Sequence, residues 1–411
     1  MFASEPSPLQ VWAVDHESIQ LTWGSIAAGP VSVACGHHTV TVDHGGGAGS
    51  VEVSGLSDDT AYTVTVDTPD SRPQHTITAR TTAKPQGDLL FRLATVNDLH
   101  LGSARWGLLK TMTEIGPTDQ PDHDVVDPRR LRAIARSTEP VPDPGRAPGP
   151  WQLPHAWRCA LGAVEDAAGW GARLLVLKGD LAQHETAECF DHVGALVDAF
   201  PELPMVAIPG NHDVDNGGGR LPEHLGCRRV SMVHGVDHCD LPGLRVIVAN
   251  SAIPNSGRGT VGSVAAAILD RAAESDRPIL LLMHQQLQAT RLPRYWPIGI
   301  PAPESTDFLD ELDRLSQPVV VSSGHTHRNR IRRHGSVTLT EVASTKDWPG
   351  VWAGYDVFEG GLVQTVRRTS ERSVLAWQEY SRRAVAGLWA HWSPGRLDDR
   401  CLSVVWGRPI E

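Results

Sequence analysis

The sequence predicts a layered α/β fold preceded by a small all-β sandwich, and three observations carry that expectation. Residues 6–83 consist of short Val- and Thr-rich runs in period-two alternation, separated by turn residues. From Leu89 onward the apolar runs become continuous and alternate with longer helix-like stretches, as strands covered on both faces do. Five of those runs are followed directly by residue types that bind metals.

The composition sets the outer limits. The chain has 411 residues, 40% apolar and 21% charged, enough for two or three domains with full cores. With 37 basic against 48 acidic residues the net charge is −11, which argues against a nucleic-acid partner. Apolar stretches such as Ile279–Met283 are far below the roughly 18 residues of a membrane helix, so no membrane association is expected. Residues 1–10 contain no Lys or Arg and no apolar leader core, which makes the cytoplasm the expected compartment. The six cysteines show no Cys-x-x-Cys spacing and are expected as buried thiols, Cys227 and Cys239 being the one pair close enough in sequence for a loop disulfide.

In the first segment Leu9 and Val11, then Leu21 and Trp23, then Leu56, Thr60 and Tyr62, with Val64 and Val66 behind, mark successive strands. Turns are expected at 44–50 and 67–73, and a linker at 81–87. The early core tryptophan and the Leu56…Thr60-x-Tyr62 corner resemble a fibronectin type III module. The expected strands of the second segment are 89–96, 173–177, 204–208, 244–249, 278–283 and 318–321. Between the first two lies a proline-crowded insertion, about 101–153, which starts one residue after a candidate ligand and is a candidate substrate-selecting flap. Residues 370–392 read as one amphipathic helix, with Ser370 as N-cap and Val374, Trp377, Ser381, Ala384, Leu388 and Trp392 roughly on one side.

The polar residues at the ends of the runs are Asp98 and His100 after the first, Asp180 after the second, Asn211, His212 and Asp213 after the third, His284 after the fifth, and His325 and His327 after the sixth. In layered α/β folds the carboxyl ends of strands converge on one crevice, so groups as far apart in sequence as Asp98 and His327 can meet there. Gly179, Gly210 and Gly324 would let the chain turn off the sheet close to whatever the next residue grips. Three oxygen donors (Asp98, Asp180, Asn211) and four imidazoles (His100, His284, His325, His327) are too many for one ion and suit two. Without a thiolate, the donors fit two divalent or mixed-valence transition metals, Mn, Fe or Zn, with Asp180 the natural bridge.

The set Asp98-x-His100, Gly179-Asp180, Gly210-Asn211-His212-Asp213, His284 and Gly324-His325-Thr326-His327 resembles the calcineurin-like metallophosphoesterase superfamily over residues 89–366. The resemblance implies a four-layer α/β/β/α sandwich at 87–366, a fibronectin type III-like domain at 1–86, and a helical, Trp-rich extension at 367–411 packed on the catalytic domain. It implies that Asp98, His100, Asp180 and His327 hold one metal and Asp180, Asn211, His284 and His325 the other. His212 would be catalytic, with Asp213 orienting it. The implied reaction is hydrolysis of a small phosphoester, a diester being favoured, by in-line attack of hydroxide generated between two metals. A fibronectin-like module ahead of such a domain is similar to purple acid phosphatases, but those carry a tyrosine three residues after the bridging aspartate where this chain has Gln183. The cyclic-nucleotide phosphodiesterase-like group is therefore the closer match. Phosphomonoesterase, nuclease and non-catalytic scaffold are the alternative readings, and the N-terminal module is a candidate site for a protein or carbohydrate partner. His184 and Arg328 are further candidates for contact with substrate.

Overall fold

The computed structural model describes residues 6–70, 74–102, 155–214, 230–288 and 297–406. The N-terminal strands are β1 (Gln10–Val14), β2 (Ser18–Ile26), β3 (Gly29–Cys35), β4 (His38–His44), β5 (Gly47–Ser54), β6 (Ala61–Asp67) and β7 (His75–Arg80). They form two antiparallel sheets, ordered β1-β2-β5 and β4-β3-β6-β7. Alternate side chains meet between them, Ile19, Leu21 and Trp23 from one sheet and Val31, Val33, Val64 and Val66 from the other. The Tyr62 hydroxyl accepts the Ser57 N–H at 2.8 Å and so fixes the corner that leads into β6.

The larger part continues with β8 (Leu89–Val96), α1 (His155–Trp170), β9 (Leu174–Lys178), α2 (Ala187–Asp198), β10 (Met205–Ile208), β11 (Val230–Met232), β12 (Val236–Leu241) and β13 (Leu244–Ala249). A hairpin, β14 (Ala252–Ile253) and β15 (Ser256–Gly259), precedes α3 (Ala265–Ala273), β16 (Ile279–Met283), α4 (Ala302–Asp313), β17 (Val319–Ser323), β18 (Arg330–His334) and β19 (Val337–Glu341). The chain ends in β20 (Val351–Phe358), β21 (Gly361–Arg368), α5 (Arg372–Ser381), α6 (Trp389–Trp392) and β22 (Cys401–Val405). One sheet has the order β11-β10-β9-β8-β20-β21-β22 and the other β12-β13-β16-β17-β19-β18.

Side-chain alternation within single strands builds the layers. Phe91, Leu93 and Val176 of the first sheet pack against Val246, Val248, Leu280 and Leu282 of the second. Their neighbours Ala94, Val96, Leu175 and Leu177 turn outward onto Ala160 and Val164 of α1 and Phe190 of α2. On the far side, Ile247, Leu281 and Met283 meet Ile268 of α3 and Phe308 of α4. The result is a helix, sheet, sheet, helix stack in which the parallel strands of both sheets are buried on two faces, which is why their sequences are continuously apolar. The candidate flap lies outside the described residues from 103 onward, as does Cys227.

The C-terminal segment departs from the expected single helix. Ser370 is not its cap, since its N–H and hydroxyl bind Asp166, both at 2.6 Å. Glu371 caps α5 by accepting the Ser373 N–H at 3.1 Å. The helix stops at Ser381, and Val385, Ala386 and Gly387 follow with φ of 51°, 54° and 85°. Val374 and Trp377 are buried as expected, whereas past this left-handed break Leu388 and Trp392 are 59% and 40% exposed.

A buried ionic junction joins this helix to the sandwich and to the first sheet. The Arg368 guanidinium, with no exposed surface, pairs with Glu379 at 3.2 Å and lies 4.5 Å from the centre of the Trp348 ring. Glu379 also accepts the Ser7 hydroxyl at 2.6 Å, and Arg368 exchanges backbone bonds with the Gln20 side chain of β2. Removing one partner of a buried ion pair leaves an uncompensated charge. Glu379→Ala is thus expected to lower stability by about 3–5 kcal/mol, read from urea unfolding; a loss below about 1 kcal/mol would show that the junction carries no weight.

Candidate metal centre

All the candidate ligands sit just beyond strand ends. Asp98 and His100 follow β8, Asp180 follows β9, and Asn211 to Asp213 form a 3-10 turn after β10, all from the first sheet. His284 follows β16, and His325 and His327 follow β17, from the second. The pocket therefore straddles the top of the core between the sheets.

The backbone here is unusual. Nine non-glycine residues among those described have positive φ, and five of them are Asp98 (53°), His100 (45°), Asp180 (49°), His325 (66°) and His327 (49°). Each costs roughly 1–2 kcal/mol for an L-residue, and such conformations persist only where surrounding structure over-determines them. Gly179, at φ 80°, is where a glycine is required twice over, because a Cβ would also stand 2.3 Å from His284 Nδ1. At Gly210 the reason is proximity alone, since a Cβ would lie 2.2 Å from Asp180 Oδ1.

Asp180 is, with His100, a shared member of the cluster. Its Oδ1 lies 3.3 Å from His284 Nε2 and its Oδ2 3.7 Å from His100 Nε2. Asp98 Oδ1 lies 3.3 Å from His327 Nε2, which is itself 3.3 Å from His100 Nε2. The donor atoms form three overlapping groups, each within 4.8 Å: Asp98, His100 and His327; Asp180, His284 and His325; and His100, Asp180 and His212. The surrounding bonds turn these atoms inward. His284 Nδ1–H donates to the Lys178 carbonyl at 3.1 Å, His327 Nδ1 meets Asp347 Oδ2 at 3.1 Å, and Asn97 Nδ2 donates to Asp98 at 2.6 Å. Among the described residues, Asn211 Oδ1 and His325 Nε2 are left buried without a hydrogen-bond partner. Imidazole and carboxylate donors with unspent inward atoms fit a pair of transition-metal ions.

Electrostatics agree with that fit. Burial opposes ionisation of Asp98 and Asp180, but chiefly His327 at the first and His284 at the second hold both carboxyls below the ordinary range. Burial likewise works against a charge on His284 and His327. It is outweighed by Asp180 at His284, pushed up to about 9, and by Asp347 and Asp98 at His327, pushed up to about 10. Burial and the neighbouring His284 pull His325 down to about 4.

His212 is half-buried at the cavity wall, its ring edge-on to His100 at 4.7 Å between centroids. Its Nδ1–H donates to the Gln183 carbonyl at 2.9 Å. Asp213 does not orient that ring. Its carboxylate instead accepts the N–H groups of Leu181 (3.1 Å), Ala182 (2.9 Å) and Gly210 (2.8 Å), and so fastens the two ligand loops together. Burial, then Asp180, push its carboxyl up to about 7. Arg328 is buried on Glu341, with bonds of 3.0 and 2.9 Å, and does not line the cavity. His184 is exposed and outside the lining. The lining includes residues the sequence did not single out: Asp347, Lys346, Trp389 and Arg258, around a volume of about 710 Å³. Lys178, wholly buried below the centre, donates to Ser322 Oγ and the Ser323 carbonyl, and burial pulls its ammonium down to about 7.

No family model matches the chain. Over 181 residues it is 23% identical to a protein of Psychrobacter arcticus described as a probable cyclic nucleotide phosphodiesterase; the match covers 42% of this chain and 63% of that one, so this chain spans less than two thirds of the relative's length. Among solved structures it is similar to a purple acid phosphatase from yellow lupin, Lupinus luteus, at 13% identity and a TM-score of 0.44, covering 89% of this chain and 72% of that one. It is also similar to a dimetal phosphatase from Danio rerio, at 12% identity and a TM-score of 0.45, covering 68% and 97%. The strand-end motifs resemble those of the calcineurin-like metallophosphoesterases.

Two predictions follow from the geometry. Asp180→Ala should reduce bound metal from two equivalents to a small fraction of one by elemental analysis, whereas full occupancy would remove Asp180 from the bridging position. Because His284 and His327 have folded pKa values above the ordinary 6.5, their contribution to the metal-free fold is complete below pH 6.5 and is lost as pH rises through about 9 to 10. Metal must displace those protons, so adding Mn²⁺ at neutral pH in weak buffer should release protons, and no release would contradict their protonation.

Proposed function

We propose that this protein is a binuclear metal-dependent phosphoesterase acting by preference on a phosphodiester. The observation that carries this reading is the chain of three His/Asp groups that share His100 and Asp180, with His212 among them at the wall of an open cavity. In this reading Asp98, His100, Asp180 and His327 would hold one cation and Asp180, Asn211, His284 and His325 the other. When bound, such a pair supplies Lewis-acid charge to phosphoryl oxygens and a nucleophile at neutral pH.

The rest of the chemistry belongs to the chain. The Gln183 carbonyl holds the His212 Nδ1–H and leaves Nε2 for the cavity, where it donates a proton to the departing ester oxygen. The Asp213 clamp keeps the His212 turn in register with the Asp180 loop. Gln183, in place of a tyrosine, supports a centre without a phenolate ligand at that position. The diester preference is supported by the cavity volume, about 710 Å³, which leaves room for organic groups beside the phosphorus. The three-plus-four strand order and the Tyr62 corner support reading the first 86 residues as a fibronectin type III-like domain, with boundaries at about 86 and 366. No helix among the described residues is long and apolar enough to cross a membrane.

Hydrolysis of an aryl phosphodiester with added Mn²⁺ should be abolished by chelator and restored by the metal; chelator-insensitive turnover would refute the reading. His212→Ala should keep its metal and lose about 10²- to 10⁴-fold in kcat on alkyl esters, with a smaller loss on p-nitrophenyl esters, whose leaving group needs no proton. Equal kcat on alkyl esters would exclude His212 as the acid.

A further inference from the structure

The cavity above the ligands has two chemically different walls, and neither comes from the strand ends. One is the β14–β15 hairpin, which brings Asn255, at φ 56° in the turn, and Arg258. The Arg258 side chain is exposed and makes no ion pair among the described residues. The other is formed by Val385 and Trp389 of the C-terminal segment, and Pro297 and Ile298 add further apolar lining.

The second wall is tied down by hydrogen bonds. Trp389 spends its indole N–H on the Trp348 carbonyl at 3.1 Å, which leaves the ring as an apolar surface, and that ring stands edge-on to the candidate ligand His327 at 6.1 Å. Trp377 of α5 donates to the Lys346 carbonyl at 2.9 Å, and the Trp348 N–H donates to the Ser381 hydroxyl at 2.8 Å, so the whole segment is bolted to the loop that carries Asp347. Val385 sits at φ 51°, a conformation that a β-branched residue rarely adopts. Strain of this kind is retained where surrounding structure demands it, commonly at binding sites. A bare phosphate needs none of this apolar surface, since its charge would be met by cations and hydrogen-bond donors alone.

Resting on the phosphoesterase reading, we infer that Trp389 and Val385 form the binding wall for a planar aromatic group of the ester, while Arg258 holds the phosphoryl charge. The substrate class is thereby narrowed to phosphoesters whose organic part is aromatic or heteroaromatic. The C-terminal extension is then a specificity element, and not only packing for the catalytic sheets.

The test is binding of phenylphosphonate and methylphosphonate to the Mn²⁺-loaded full chain, measured by calorimetry; both present the same anion and differ by the ring. Stacking and ring burial predict about a tenfold preference for phenylphosphonate. Trp389→Leu should bring that ratio close to one, and Trp389→Phe should restore most of it. Val385→Gly, which relieves the positive-φ strain and so does not threaten the fold, should lower the ratio about threefold. Arg258→Ala should weaken both ligands equally. Equal binding of the two ligands to the wild type, or an unchanged preference in both Trp389→Leu and Val385→Gly, would overturn the aromatic wall and leave the phosphoesterase reading standing. Binding of neither phosphonate would overturn both.

Discussion

Two buried carboxylates, Asp98 and Asp180, placed beside each other above an apolar core are the constraint around which this molecule is organised. Desolvated anions are tolerated only with matching positive charge and satisfied hydrogen bonds. Without cations that charge comes from protons on His284 and His327, and bound cations would supply it in their place. Left-handed backbone at five of the candidate ligand positions belongs to the same economy of space, because it turns each donor back over the strand that delivers it. The sheets below hold that strain through Phe91, Leu93, Val176, Leu280 and Leu282, whose packing leaves the loops little freedom to relax.

Around this centre the later parts of the chain act as supports. A single loop carries Lys346, Asp347 and Trp348, and each of them is tied elsewhere: Lys346 through its carbonyl to Trp377, Asp347 to His327, and Trp348 to Ser381 and Trp389. Trp12 of the N-terminal sandwich meets Trp348 edge-on at 6.1 Å and donates to the Val366 carbonyl at 3.2 Å. The N-terminal sheets therefore reach, through one tryptophan, to the neighbour of the residue that bonds His327.

Much of the core was legible because it is written locally. Continuous apolar runs ending in Asp98, Asp180, Asn211, His284 and His325 need only strand length and direction to be read, and the observed strands match those runs within a residue or two. The walls were not legible, because Asp347, Lys346, Arg258 and Trp389 have no periodic neighbour in sequence and become a site only through tertiary packing. The break in the C-terminal helix fell at Val385-Ala386-Gly387, a tripeptide that only mildly disfavours a helix, so periodicity carried straight through it. Arg328 misled for a related reason: a cluster of arginines looks like an anion grip until Glu341, buried on the next strand, takes up its guanidinium. Asp213 likewise sits next to His212 in sequence, yet the turn points its carboxylate at backbone N–H groups instead of the imidazole.

The most direct measurement is an anomalous-scattering map from crystals of the intact chain grown with Mn²⁺. Two peaks about 3.5 to 4 Å apart on either side of the Asp180 carboxylate are predicted, one near Asp98 and His327 and the other near His284 and His325. A single peak, or two peaks that do not share Asp180, would contradict the binuclear centre on which the functional reading stands.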